Sequence, residues 1–252
     1  MPRGRPHLRV PIFSQRHINL AQRCALALWK GIDYETGRKM QFSDSEFLAE
    51  YTLGFEAKRN APRSRFQINT YSLRRMIRVG KLKAMFRSTN PIDFSNGLLE
   101  LQAIIREYDS KLNQKNFKKD KFTEKIVMKL GKSFVTQTRI PTINGNYRLP
   151  FATRILMFGL PMLPLYNFSN GLASKMHFQK RPQAAIPHFY SELSKGLQRN
   201  MRRLSLLKPP SHPIGMRQAR WTKIIAHKWW QRRVLDIALL LHFGVTSASP
   251  KI

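Results

Sequence analysis

The sequence predicts a mainly α protein with one β-hairpin, built from small helical units joined by extended, Pro-containing segments and preceded by a basic N-terminal arm. Three observations predict it. Apolar residues recur at helical spacing in several separate stretches, the Asn-Gly pair Asn144-Gly145 sits between two β-prone runs, and the chain contains 15 prolines.

The elements follow in order. Met1–Pro11 is an arm rich in Arg and Pro that has too few apolar residues to bury itself. In His17–Lys30, Ile18, Ala21, Cys24/Ala25 and Leu28 fall on one side of a short helix, and 31–42 reads as a turn. Ser43 followed by Glu46 is a capping box opening a helix with Phe47, Leu48, Tyr51 and Phe55, which ends near Asn60, before Pro62. Arg59, Arg63 and Arg65 make a basic connector, either a solvated loop or a phosphate clamp. Tyr71–Arg87 places Leu73, Met76 and Ile77 on one helix face and Arg74, Arg78 and Lys81 on another. No acid lies between Glu56 and Asp93, so this basic stripe has no local partner; it is a solvent face or a phosphate contact.

Ser95–Gln114 carries a heptad-like seam of Leu98, Leu101, Ile105, Tyr108 and Leu112, suited to protein contact or to a core. The run Lys115, Lys118, Lys119, Lys121 and Lys125 leads into a short helix near Phe122–Leu130. Ser133–Thr142 and Tyr147–Thr153 flank Asn144-Gly145 as the strands of the hairpin, with Pro141 and Pro150 keeping it at an edge. Gly159–Pro187, punctuated by Pro161, Pro164, Gly171, Pro182 and Pro187, is expected to be mostly extended and irregular. His188–Leu206 is a helix with Phe189, Leu193, Leu197, Met201 and Leu204 on one face and Lys195, Arg199, Arg202 and Arg203 elsewhere. Beyond Pro209-Pro210 and Pro213, Gly215–Phe243 is one long or kinked helix with a seam of Trp230, Val234, Ile237 and Leu241. The chain therefore divides into arm 1–16, helical region 17–131, hairpin and extended segment 132–187, and C-terminal basic helical region 188–252.

Charge bounds the function. The chain of 252 residues has formal net charge +31, and from Lys125 onward 21 Lys and Arg face only Glu192 and Asp236. Such self-repulsion implies a polyanionic partner, since cations that neutralise a phosphate backbone release condensed counterions. Arg3, Arg5, Arg9, Arg63, Arg65, Arg74, Arg78, Lys81, Lys195, Arg199, Arg202, Arg203, Arg217, Arg220, Lys223, Lys228, Arg232 and Arg233 are the candidate RNA contacts. Trp221, Trp229 and Trp230 lie among these bases and are candidates for base stacking, with core anchoring as the alternative.

Other classes find little support. The seven histidines form no HExxH, there is no GxxxxGK[ST], GxGxxG or GxSxG, and the one compact set of acids (Asp33, Glu35, Asp44, Glu46, Glu50) includes two that suit a helix first turn. No catalytic residue, metal, cofactor or small-molecule substrate is implied. Cys24, the single cysteine, reads as a small buried residue and rules out an internal disulfide. Leu149–Tyr166 and Val234–Val245 are too broken or too short for a transmembrane segment.

The first 32 residues contain no acid but carry Arg3, Arg5, Arg9, Arg16, Arg23 and Lys30, the composition of a mitochondrial import sequence. In composition the chain resembles the proteins of an organellar ribosome. That resemblance implies a non-enzymatic, mitochondrial-matrix ribosomal component whose partners are rRNA and neighbouring ribosomal proteins. An RNA-processing or ribosome-assembly factor, and an accessory subunit of an inner-membrane complex, are the alternatives.

Overall fold

In a computed structural model, the described residues are 10–40, 43–45, 210 and 212–249, with helical positions 96, 99, 100, 103, 104, 107, 125–127, 129, 152–154, 156, 157, 170–175, 196, 199–201, 203 and 204 between them. Four helices have defined bounds: α1 Gln15–Trp29, α2 Asn170–Lys175, α3 Gln218–Ala226 and α4 Lys228–His242. The described part is mostly helical. Its only β pairing is an isolated antiparallel bridge, Ile32 with Lys39.

Compaction does not follow chain order. One unit gathers 1–28, 33–38 and 169–252, and a second gathers 29–32 and 39–168. In the first, α1 begins two residues before the expected helix, because Ser14 caps it: the Ser14 Oγ accepts from the His17 N–H at 3.2 Å. The predicted face of Ile18, Ala21, Cys24, Ala25 and Leu28 is buried, whereas Arg16, Asn19 and Arg23 are exposed. The segment ahead of α1 is held by the helical residues 196–204. Asn200 donates through Nδ2 to the Pro11 carbonyl and accepts the Phe13 N–H through Oδ1, both at 3.0 Å, and Arg203 Nη1 donates to the Phe13 carbonyl at 2.9 Å. Val10, 3% exposed, packs directly on Gly196, where an added Cβ would stand 2.2 Å from the Val10 Cβ.

The expected Gly215–Phe243 helix is kinked into α3 and α4 at His227, whose backbone turns extended (φ −72°, ψ 139°). There His227 Nδ1 accepts from the Trp229 N–H at 3.1 Å and so caps α4. Trp229, Trp230, Arg232 and all six residues from Val234 to Leu239 are buried, so α4 is covered on every side. It ends in a Schellman motif: Val245 N–H donates to the Leu240 carbonyl, Gly244 N–H to the Leu241 carbonyl, and Gly244 takes φ +62°. The segment after α4 meets the tip of the 31–40 turn. Ser249 N–H donates to the Tyr34 carbonyl at 2.6 Å, and the Thr246 hydroxyl donates to the Glu35 carboxylate.

In the second unit, Ser43 immediately precedes helical Asp44 and Ser45, its Oγ is 2.8 Å from the Ser45 Oγ, and Ser45 Oγ donates to the carbonyl of Trp29 at 2.9 Å; Glu46, the other half of the expected capping box, lies outside the described residues. The seam residues Leu98, Leu101, Ile105, Tyr108 and Leu112 lie outside the described residues. Asn96, Leu99, Ala103 and Glu107 are helical and exposed, and at 100° per residue they occupy the side opposite that seam. Ile126 and Val127 are fully buried in the expected short helix, where Lys129 pairs with Glu107 at 3.3 Å.

One expectation is corrected, at the last two residues of the expected strand Tyr147–Thr153. Ala152 and Thr153 are helical and buried, and Ala152 with Leu156 shares one helical face. The rest of the expected hairpin, including Asn144-Gly145, lies outside the described residues. Within Gly159–Pro187, residues 170–175 form α2, and the rest of that section lies outside the described residues.

Candidate nucleic-acid interface

The interface is built on the first unit. On α3, Trp221 and Ile224 point into the core while Arg217, just before the helix, and Arg220 and Lys223 are exposed at intervals of three. Arg199 and Arg203 are exposed one turn apart on the preceding helical segment. Arg203 spends one of five guanidinium N–H groups on the Phe13 carbonyl, leaving the others available to a ligand. Lys175 is exposed at the end of α2.

Few acids share this stretch of the chain. Asp236 is 0% exposed and lies 3.5 Å from the guanidinium of Arg233, one turn back on α4. Its charge is consumed inside the core, and Glu192 is the only other carboxylate after Lys125. Among the described residues, Arg199, Arg217 and Lys223 form no ion pair.

The structure divides the sequence-based candidates into three groups. Arg199, Arg203, Arg217, Arg220 and Lys223 are on the surface as expected. Arg3, Arg5, Arg9, Arg63, Arg65, Arg74, Arg78, Lys81, Lys195, Arg202 and the Lys228 side chain lie outside the described residues. Arg232 and Arg233 are corrections: Arg232 is buried, and Arg233, half-buried, serves Asp236. Both lie on a helix surrounded by protein, which places their charge inward rather than toward a phosphate.

Of the two readings of the tryptophans, burial fits core anchoring. Trp221, Trp229 and Trp230 are all buried. Trp221 and Trp230 meet edge to face, centroids 5.0 Å apart, and Trp221 Nε1 donates to the Pro210 carbonyl at 2.8 Å. A ring that fills the core has no free face for a base. Sequence reading missed His227 as a cap and Asn200 as a double clamp. The signal for His227 was its place immediately before the Lys228–Trp230 run, whereas Asn200 carries none, because its partners are 187 and 189 residues away.

No metal-binding group of three or more His, Cys, Asp or Glu occurs among the described residues. Cys24 is buried as expected, and burial pushes its thiol up to about 11 against the opposing pull of the Arg23 charge and a backbone hydrogen bond. It stays protonated near neutral pH and is a poor nucleophile. Among the described residues, no helix is long and apolar enough to cross a membrane. No family model, curated protein or solved structure matches the chain.

Proposed function

We propose that this chain is a structural rRNA-binding component of a mitochondrial ribosome, whose exposed bases neutralise rRNA phosphates while its apolar units pack internally or against neighbouring ribosomal proteins. The observation that carries the reading is the fate of Asp236. With one of the two acids after Lys125 sealed against Arg233, the exposed Arg199, Arg203, Arg217 and Lys223 belong to a stretch of chain in which Glu192 is the one other acidic side chain. Phosphates supply the opposite charge and release counterions in doing so. Buried tryptophans add that the contact is to backbone rather than to splayed bases, so binding is largely independent of sequence.

The test is sedimentation of a mitochondrial lysate through a salt-containing sucrose gradient, with and without ribonuclease, following the chain by mass spectrometry. Co-migration with mature ribosomal subunits that survives salt and collapses after ribonuclease supports the reading. Migration with precursor particles alone identifies an assembly factor instead. Retention in a ribonuclease-resistant membrane fraction refutes RNA binding and favours the membrane-complex alternative.

A further inference from the structure

We infer that α1 is an import address that is read before the chain folds and is then kept as part of the core, so that N-terminal processing stops at or before Val10. The inference rests on the organellar reading above and extends it to a second partner, the protein receptor of the import machinery.

The first 32 residues carry no acid, and on α1 Arg16 and Arg23 are exposed two turns apart on a narrow face, with Ile18, Ala21, Ala25 and Leu28 buried opposite and Ala27 buried beside it. A charged face opposed to an apolar one is the pattern an import receptor reads. Anchors spaced by three and four residues suit a helix laid in an apolar groove, and the two arginines complement an acidic rim. Two bases on α1 fall short of the four to eight that hold a segment on anionic lipid, so a protein groove is the partner proposed here.

Folding sets when this face can be read. The remainder of the unit containing residues 1–28 comes from 33–38 and 169–252. Residues 169–252 are synthesised roughly 10 s or more after α1 at ordinary elongation rates, which leaves the apolar face uncovered meanwhile. Once they arrive, that face is sealed. The same packing limits processing, because Val10 fills the space at Gly196, and Pro11 and Phe13 are bonded to Asn200 and Arg203. A protease cutting beyond Phe13 would remove the clamp, and one removing α1 would empty the core.

The test offers freshly translated full-length chain to isolated mitochondria and scores protease-protected protein. Wild type is compared with Arg16→Gln/Arg23→Gln, two exposed substitutions whose folding is checked by thermal melting. Support for the inference is import of wild type with a mature N-terminus at or before Val10, and a variant that melts normally yet enters roughly tenfold more slowly. Urea-denatured wild type should also enter faster than prefolded wild type. Equal import of the variant, or an N-terminus beyond Phe13, overturns the inference and leaves the RNA reading standing. Loss of import that tracks loss of binding to phosphatidylcholine–cardiolipin vesicles also overturns it, because lipid would then be the reader. Failure of wild type to enter refutes the mitochondrial reading itself.

Discussion

Gly196→Ala is the substitution whose outcome the structure determines most sharply, because two physical effects oppose each other there. Alanine in a helix gains about 1 kcal/mol over glycine. Against that, the new Cβ would stand 2.2, 2.4 and 2.8 Å from the Cβ, Cγ1 and Cγ2 of Val10, where ordinary carbon contacts are about 3.5–4.0 Å. Val10 cannot swing clear: it is β-branched and buried, and the next residue's carbonyl is tied to Asn200, which also bonds the Gly196 carbonyl at 2.9 Å. Displacing Val10 forfeits about 1.5–3 kcal/mol of burial, or else the helix shifts at an overpacking cost of about 1–3 kcal/mol. The net expectation is a loss of up to roughly 2 kcal/mol, a fall in Tm of up to about 8 °C for a chain of this size. Thermal melts by circular dichroism measure it, together with Val10→Gly and the double variant. Because the added methyl enters space that Val10→Gly vacates, the double variant should be more stable than the sum of the singles by at least ~1 kcal/mol. A raised Tm for Gly196→Ala, or strict additivity in the cycle, would refute the packing described here.

Three further outcomes are expected. Trp221→Ala should cost about 3–5 kcal/mol in urea titrations, because a fully buried indole and its bond to Pro210 are lost. In a filter-binding assay the RNA affinity of its folded fraction should keep the wild-type salt dependence, whereas a drop of about 1–3 kcal/mol would mean that the ring stacks on a base after all. Asp236→Ala leaves the half-buried Arg233 without its ion-pair partner and should cost about 3–5 kcal/mol in the same titration, well above the exposed Lys223→Ala. Alkaline stability should fall in two overlapping steps. Burial raises Cys24 from 9.0 to about 11 and Tyr34 from 10.0 to about 12, the latter despite the Thr246 hydrogen bond and the Arg233 charge. For each, the unfolded chain loses its proton first, so stability is complete below about pH 9 and is lost on the way to pH 12. Melts across that range on Tyr34→Phe should lose the upper step and keep the lower.

Much of the local structure was legible because local causes set it. The face of α1 follows from Ile18, Ala21, Cys24, Ala25 and Leu28 alone, and the break near His227 was allowed for because a helix from Gly215 to Phe243 is long for one packed element. What escaped depends on distant partners. Asn200 reads as an ordinary polar residue until Pro11 and Phe13 are brought beside it. The tryptophans read as core anchors or as stacking platforms, because basic neighbours surround them in sequence. Helical geometry separates them: Trp221 and Ile224 share the buried side of α3 while Arg217, Arg220 and Lys223 stay outside. At the end of the expected hairpin, β-prone residues were outweighed by burial of Ala152 and Leu156 on one helical face.

The 12-residue stretch Val234–Val245 shows why composition alone left a lipid-facing alternative open. A helix that is apolar on all sides belongs either in a bilayer or at the centre of a protein. In α4 the polar residues decide between them: Asp236 is satisfied by Arg233 of the same helix, Arg232 is enclosed, and the Phe13 and His17 rings meet His242 at centroid distances of 5.8 and 5.7 Å. That arrangement gives α4 protein neighbours, and it also shapes the exterior. A core that holds a carboxylate requires a cation beside it, so the buried pair contributes nothing to the surface charge. Among the described bases after Lys125, Lys175, Arg199, Arg203, Arg217, Arg220 and Lys223 are exposed, and they are the charge that a polyanionic partner of the proposed kind would meet.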